Sequence, residues 1–330
     1  MALKDTVARV KALRPVRVVM HYTGKRGPLL AAGLSYQALF AIFAAIWVLF
    51  SIAGLVLVGS PGLQQNLIDT LGDFIPGLID TGDGDGAIDP TTLLTGQTLN
   101  WTGAIALAGL LLTALGFLAS ARSGIRDIFD LPATTGNAVV AKGKDFVILI
   151  GFAVLMLIST GLSVVGTAAT GFVLELIGVS ADSPIGNVLG RFTSLVLAVI
   201  IDAVIIAAFM RVLSAIAVPT RDLIGGALLG GIGAAGLTVL FQLGVLGGAN
   251  KNPLLASFVV IIGLLLFFNF ICQILLISTA WVAVGLTDRG VVVDPAAEEA
   301  RLVAARQYVA DHTLEEEPQK RGFFARLFRR

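Results

Sequence analysis

Six apolar runs, each long enough to cross a bilayer, dominate this chain; they lie near residues 29–58, 101–120, 146–177, 192–217, 223–246 and 254–286. A hydrocarbon core of roughly 30 Å is crossed by about 20 helical residues. Within it every backbone N–H and C=O needs a partner, which only the helix and the closed barrel supply. Barrel strands are about ten residues long and alternate in polarity, and no segment here alternates. The runs predict an all-α fold, a polytopic membrane bundle of six transmembrane helices. Several runs exceed 20 residues, which implies tilt or extension into the headgroups. Composition agrees, with 56% apolar and 14% charged residues, where a soluble domain carries about one quarter charged.

The charges orient the bundle. Of 23 Lys and Arg, all but Arg191 and Lys251 fall in segments that six crossings place on one side. Short basic connectors stay cytoplasmic while acidic ones translocate. Residues 1–28 hold Lys4, Arg9, Lys11, Arg14, Arg17, Lys25 and Arg26. The second connector has Arg122, Arg126, Lys142 and Lys144, and the fourth has Arg211 and Arg221. The tail carries the remainder. Five or seven helices would strand one basic segment on the wrong side, so both termini are expected in the cytoplasm. The first apolar run lies too far from the start, and is too long, for a signal peptide. The expected divisions are a basic cytoplasmic segment at 1–28, a six-helix domain at 29–286 with an external loop at 59–100, and a cytoplasmic tail at 287–330.

The external loop has no Lys or Arg. Leu63, Leu67, Ile68, Leu71, Phe74, Ile75 and Leu78 recur at helical spacing, the pattern of an external amphipathic helix on a membrane surface. Asp80, Asp83, Asp85 and Asp89 follow, but Ala87 occupies a ligand position and no Glu closes the loop, so the calcium pattern fails. In the tail, residues 295–317 read as an exposed helix ended by Pro318. Phe323, Phe324, Leu327 and Phe328 then share a face between Arg residues, a pattern suited to an anionic leaflet. Leu3, Val7, Val10 and Leu13 at the other terminus have the same character. The expected partners are membrane lipids, with homo-oligomerisation left open and no nucleic acid.

Function is expected among the polar groups inside the apolar runs. Asp202 sits near the middle of the fourth run, where an ionised carboxylate costs about 2.5–3.5 kcal/mol on insertion scales. Its helical neighbours Ala198, Ile205 and Ile206 offer it no partner, so one must come from another helix. The candidates are Ser35, Tyr36 and Gln37 in the first run, Gln242 in the fifth, and Asn269 with Gln273 in the sixth. The last two are spaced i, i+4 on one face. These residues form either a polar solute or proton pathway or hydrogen-bonded joints between helices.

Other signals point away from enzymatic chemistry. Gly231-Ile-Gly233-Ala-Ala-Gly236 matches a dinucleotide fingerprint but has no preceding strand in a βαβ unit. Gly226, Gly230 and Gly233 instead share a side of the fifth helix and admit a close neighbour. Cys272 is the lone cysteine, and His21 and His312 lie at opposite ends of the chain. No catalytic, cofactor or metal site is expected.

Four motifs carry a resemblance. Ala31-Ala-Gly-Leu-Ser35-Tyr36-Gln37-Ala-Leu-Phe40 opens the first run, and Arg126-Asp-Ile-Phe-Asp130 follows the second. Val218-Pro219-Thr-Arg221-Asp-Leu-Ile-Gly225-Gly226-Ala227 leads into the fifth, and Leu266-Phe-Phe-Asn269-Phe-Ile-Cys272-Gln273-Ile-Leu-Leu lies within the sixth. In order and spacing they resemble the YihY/BrkB family of bacterial inner-membrane proteins over roughly residues 15–290. The resemblance implies six transmembrane helices and a cell-envelope role. Two positions depart from it: Ala44 stands where relatives carry proline, and Ser278-Thr279-Ala280 stands where they close with Gly-Ala-Glu. The leading expectation is transport of a small or lipidic solute across the cell membrane. The alternative is a membrane scaffold without transport. A membrane ribonuclease, a label attached to some relatives, comes third because no nuclease-like acid or His cluster is present.

Overall fold

The computed structural model describes residues 11–56, 101–132, 142–151, 154, 183–244 and 253–316, and all regular structure in them is helical. The expected external loop, most of the third run, residues 1–10 and the aromatic-basic terminus lie outside these residues. The chain divides into two compact units, Met1–Gly285 and Leu286–Arg330.

Within residues 1–28, expected as a basic segment with apolar Leu3, Val7, Val10 and Leu13 suited to a leaflet, lies helix α1 (Arg14–Gly24). Pro15 suits its first turn, where the missing N–H would have no helical partner anyway. Val18 and Tyr22, one turn apart, are buried. Their two apolar side chains were hard to distinguish among the basic residues around them. Lys25 and Arg26 connect α1 to α2 (Gly27–Val56). Arg26 takes a left-handed φ of 57°, and its carbonyl accepts from Leu29 N and Leu30 N at 3.0 and 3.1 Å, starting α2.

Helix α3 (Trp101–Ile128) continues eight residues beyond the expected end at Ser120. It keeps Arg122 and Arg126 in the helix because both side chains find partners there. A Schellman turn ends it: Leu131 N bonds Arg126 O at 2.9 Å, Asp130 N bonds Asp127 O at 3.2 Å, and Asp130 adopts φ 59°. A helical segment α4 covers residues 142–151.

Helix α5 (Pro184–Ala208) starts eight residues before the expected 192. Ser183 caps it, accepting from Gly186 N at 3.0 Å, and Pro184 begins the first turn. At its other end α5 widens into a π-helical turn, Phe209–Leu213, where Ser214 N reaches Phe209 O at 3.2 Å. Ala215 follows at φ 53°. Helix α6 (Thr220–Gly244) then starts beside Pro219, whose carbonyl accepts from Asp222 N and Leu223 N. Helix α7 (Pro253–Thr287) matches the sixth run to within a residue at each end.

Four described spans are long and apolar enough to cross a membrane: Ala108–Ile128, Val188–Leu213, Thr220–Gln242 and Ile262–Thr287. Helix α2 contributes the apolar stretch Gly27–Ile42. In the second unit, a Schellman turn at Gly290 (φ 64°) follows α7. Asp294 caps α8 (Pro295–Glu316), its Oδ1 accepting from Ala297 N at 3.2 Å. The tail helix is therefore where its pattern predicts it.

Candidate functional site

Packing at glycines sets the relative depth of the helices. A Cβ at Gly230 of α6 would meet both Ile206 Cδ1 of α5 and Ser278 Oγ of α7 at 2.6 Å. One at Gly231 would lie 2.5 Å from Val199 O and 2.9 Å from Ala203 N, and one at Gly233 would lie 3.2 Å from Ile274. Rising numbers on α6 meet falling numbers on α5 and α7, so α6 runs antiparallel to both. The glycine stripe read from the sequence does face its neighbours closely. A Cβ at Gly124 of α3 would lie 3.7 Å from Leu34 of α2 and 3.6 Å from Leu276 of α7, so these two side chains converge there.

Helix α1 marks one end of this bundle. His21 Nε2 pairs with Ile128 O at 2.8 Å at the close of α3. Arg14 donates to Trp281 O of α7 at 3.3 Å and lies 4.4 Å over the Trp281 ring. Tyr22 packs where a Cβ at Gly27 would strike its ring, at the start of α2.

From these crossings the polar residues can be placed. Asp202 is four residues from Ile206, and Gln273 five residues from Ser278, about 6 and 7.5 Å further from the α1 end. Gln37 is three residues from Leu34 and Gln273 three from Leu276, about 4.5 Å along each helix. Asp202, Gln37 and Gln273 thus lie within about one helical turn of the same depth.

Their bonding differs. Asp202 is half-buried and, among the described residues, has no hydrogen bond or ion pair. Gln37 Oε1 is buried with no partner among the described residues. Gln273 Nε2 donates to Asn269 Oδ1 at 2.5 Å, so that pair satisfies itself along one face of α7. Ser35 is buried and donates to Ala32 O of its own helix at 2.8 Å. Tyr36 is exposed and packs edge-on to Phe40, and Gln242 is exposed near the far end of α6. Five of the seven candidates, Ser35, Tyr36, Gln37, Asp202 and Gln273, therefore share a level to within about one turn, with Asn269 bonded to one of them. Ser278 and Thr279, at the departure from the family pattern, are fully buried. Thr279 donates to Leu275 O, whereas Ser278 Oγ has no partner among the described residues.

A second polar assembly lies nearer the α1 end. Arg122 Nε donates to Leu213 O at 2.9 Å, and the same guanidinium pairs with Asp145 of α4. One turn on, Arg126 donates to Ser214 O at 3.2 Å and to Pro132 O at 2.9 Å. Buried Ser214 turns its hydroxyl back onto Met210 O. The carbonyls left open by the π turn are thus capped by two arginines of α3, and Lys25 pairs with Asp130 nearby. The sequence reading places Arg122 and Arg126 in the second basic connector. Their i, i+4 spacing was a signal of a shared task, but the acceptors are backbone carbonyls 88 and 91 positions away.

The profile of the family described as Virulence factor BrkB matches residues 18–302. The chain belongs to that family. The match spans all of the described transmembrane helices and the opening of α8. The Arg126–Asp130 motif that suggested the BrkB resemblance is the clasp just described: Arg126 caps the π turn, Ile128 O receives His21, and Asp130 makes the left-handed turn. The Val218–Ala227 motif is the entry to α6, with Val218 buried and Gly226 facing Val282 and Ser278 O of α7. No curated protein and no solved structure matches the chain.

Proposed function

We propose that this BrkB-family protein moves a small or lipidic solute across the membrane, without enzymatic chemistry, along a polar path between α2, α5 and α7. The observation that carries the reading is the shared depth of Asp202, Gln37 and Gln273 on three different helices. A carboxylate and an amide oxygen without described partners, in helices as apolar as these, are suited to a solute or proton in transit. Proteoliposomes test this with two probes, entrapped pyranine for protons and fluorescent phospholipid for lipid movement. Asp202→Asn abolishes flux of the transported species and leaves thermal stability near wild type. Retained flux, or a stability loss that accounts for the defect, overturns the pathway.

The alternative is a membrane scaffold, favoured by the internal bonds of Ser35 and of Asn269 with Gln273. In that case no probe moves and the Asp202 variant is silent. Among the described residues, no group of three or more His, Cys, Asp or Glu side chains that could hold a metal ion lends the ribonuclease reading support.

The topology that accompanies the proposal has six crossings with both ends in the cytoplasm. The distribution of basic residues supports it, as does the uncharged length of α2, 30 residues from Gly27 to Val56. With Cys272 replaced, a single cysteine within 80–90 is expected to react with an impermeant thiol reagent from outside intact cells, and one in the tail to be protected. The reverse pattern overturns the orientation.

A further inference from the structure

Helix α1 has two apolar faces. The first, Val18 and Tyr22, is buried against the bundle, and Arg14 and His21 beside it bond to α7 and α3. On the opposite side of the helix Val19 and Met20 are 53% and 50% exposed, Leu13 at its start is 56% exposed, and Val16 is half-exposed between them. Thr23, the one polar residue in the middle of this outer face, directs its hydroxyl to its own helix. Its Oγ1 donates to Val19 O at 2.9 Å and lies 3.1 Å from Met20 O. The outer face therefore presents methyl and methylene groups and no side-chain group that requires water. Exposed Lys11 lies at one end of the helix and exposed Arg26 at the other.

Two features say what covers this face. Only Lys25 and Arg26 separate α1 from α2, so α1 cannot leave the boundary at which the bundle enters the membrane. Apolar side chains flanked by cations match the interfacial zone of a bilayer, where acyl carbon begins below phosphate. We infer that α1 is an interfacial anchor: its outer face, Leu13, Val16, Val19 and Met20, sinks into the leaflet at its end of the bundle, with Lys11 and Arg26 against anionic phospholipid headgroups. Its inner face holds the ends of α3 and α7 at the same time. The anchor thus couples the lipid surface to the carbonyl of Ile128 and to Trp281. It depends neither on transport nor on which leaflet is cytoplasmic.

Nitroxide labelling tests the inference. Cys272 is replaced by alanine and a nitroxide placed at Met20→Cys or, as a second site, Val19→Cys, in nanodiscs of mixed phosphatidylglycerol and phosphatidylcholine. Oxygen is expected to relax both labels several-fold more strongly than a water-soluble nickel chelate. In phosphatidylcholine alone the ratio of oxygen to nickel relaxation falls, and Arg26→Gln lowers it in the mixed bilayer. Stronger relaxation by nickel places the face in water and overturns the anchor. Protection from both reagents means that a second copy or another protein covers the face, which also overturns it. An unchanged ratio in neutral lipid overturns the headgroup contact.

Discussion

Arg122 joins two elements through one side chain: its guanidinium pairs with Asp145 of α4 while its Nε caps Leu213 O at the end of the π turn. The side chains are only 14% and 5% exposed, so the pair is held outside water. Removing one partner from such a pair costs about 3–5 kcal/mol, because the other charge stays buried and unmatched. Asp145→Ala is expected to lose that much in denaturant unfolding in bilayer mimics. The double variant Arg122→Met/Asp145→Leu recovers more than half of the loss. Additive losses would show that the pair has no mutual dependence.

Close approach of α5 and α6 makes Gly231 the least replaceable glycine of α6 on the side that faces α5. A methyl there would press on Val199 O and Ala203 N, both backbone atoms, which cannot swing aside as a side chain can. Gly231→Ala is expected to lower stability by about 1–3 kcal/mol, the usual cost of overpacking. Gly236→Ala, where nothing lies within 4 Å, is neutral or gains up to about 1 kcal/mol from helix propensity. Thermal melts of the two variants side by side check the contrast.

Tyr22 makes stability depend on alkaline pH. Burial first, and then proximity to Cys272, pushes its phenol from 10.0 up to about 12. Because the folded value is raised, the stability it contributes is complete below pH 10 and is lost as pH rises to about 12. Tyr22→Phe removes that loss and also removes a buried hydroxyl with no described partner. Tyrosinate absorbance offers a direct measurement, since the chain has three tyrosines: the variant loses the component that titrates last. A late component surviving in Tyr22→Phe would show that it does not belong to Tyr22.

Gln37→Leu separates the two readings of the polar level. Its buried Oε1 lacks a partner among the described residues, so replacing the amide relieves a desolvation cost of about 1–3 kcal/mol. Stability is expected to hold or rise while flux in the proteoliposome assay falls. Unfolding and transport measured on the same preparation distinguish this from a structural joint, where stability falls and flux follows it.

The helical class, the limits of α7 and the tail helix α8 were legible because long uniform runs and a simple pattern leave few alternatives. The α3 terminus was not. Arg122 and Arg126 look like connector charges until the carbonyls of Leu213 and Ser214 are brought beside them. The π turn itself has no sequence signature in Phe209–Leu213. Asp202 was legible as a costly group, yet its level relative to Gln37 and Gln273 follows only from what meets at Gly230 and Gly124. Helix α1 was missed because its inner face contributes two apolar residues, and its outer apolar face blurs the usual one-sided pattern.

The two-arginine cap also changes how charge-swap experiments on this chain must be interpreted. In the topology proposed above Arg122 and Arg126 count toward the positive side during insertion, yet in the finished fold both guanidinium groups are bonded to other elements. A variant designed to invert the molecule by neutralising them also unclasps α3 from the hairpin of α5 and α6. Misrouting and misfolding would then give the same loss of signal. The cleaner pair to move is Lys142 and Lys144, both exposed at the start of α4, which carry the same sign.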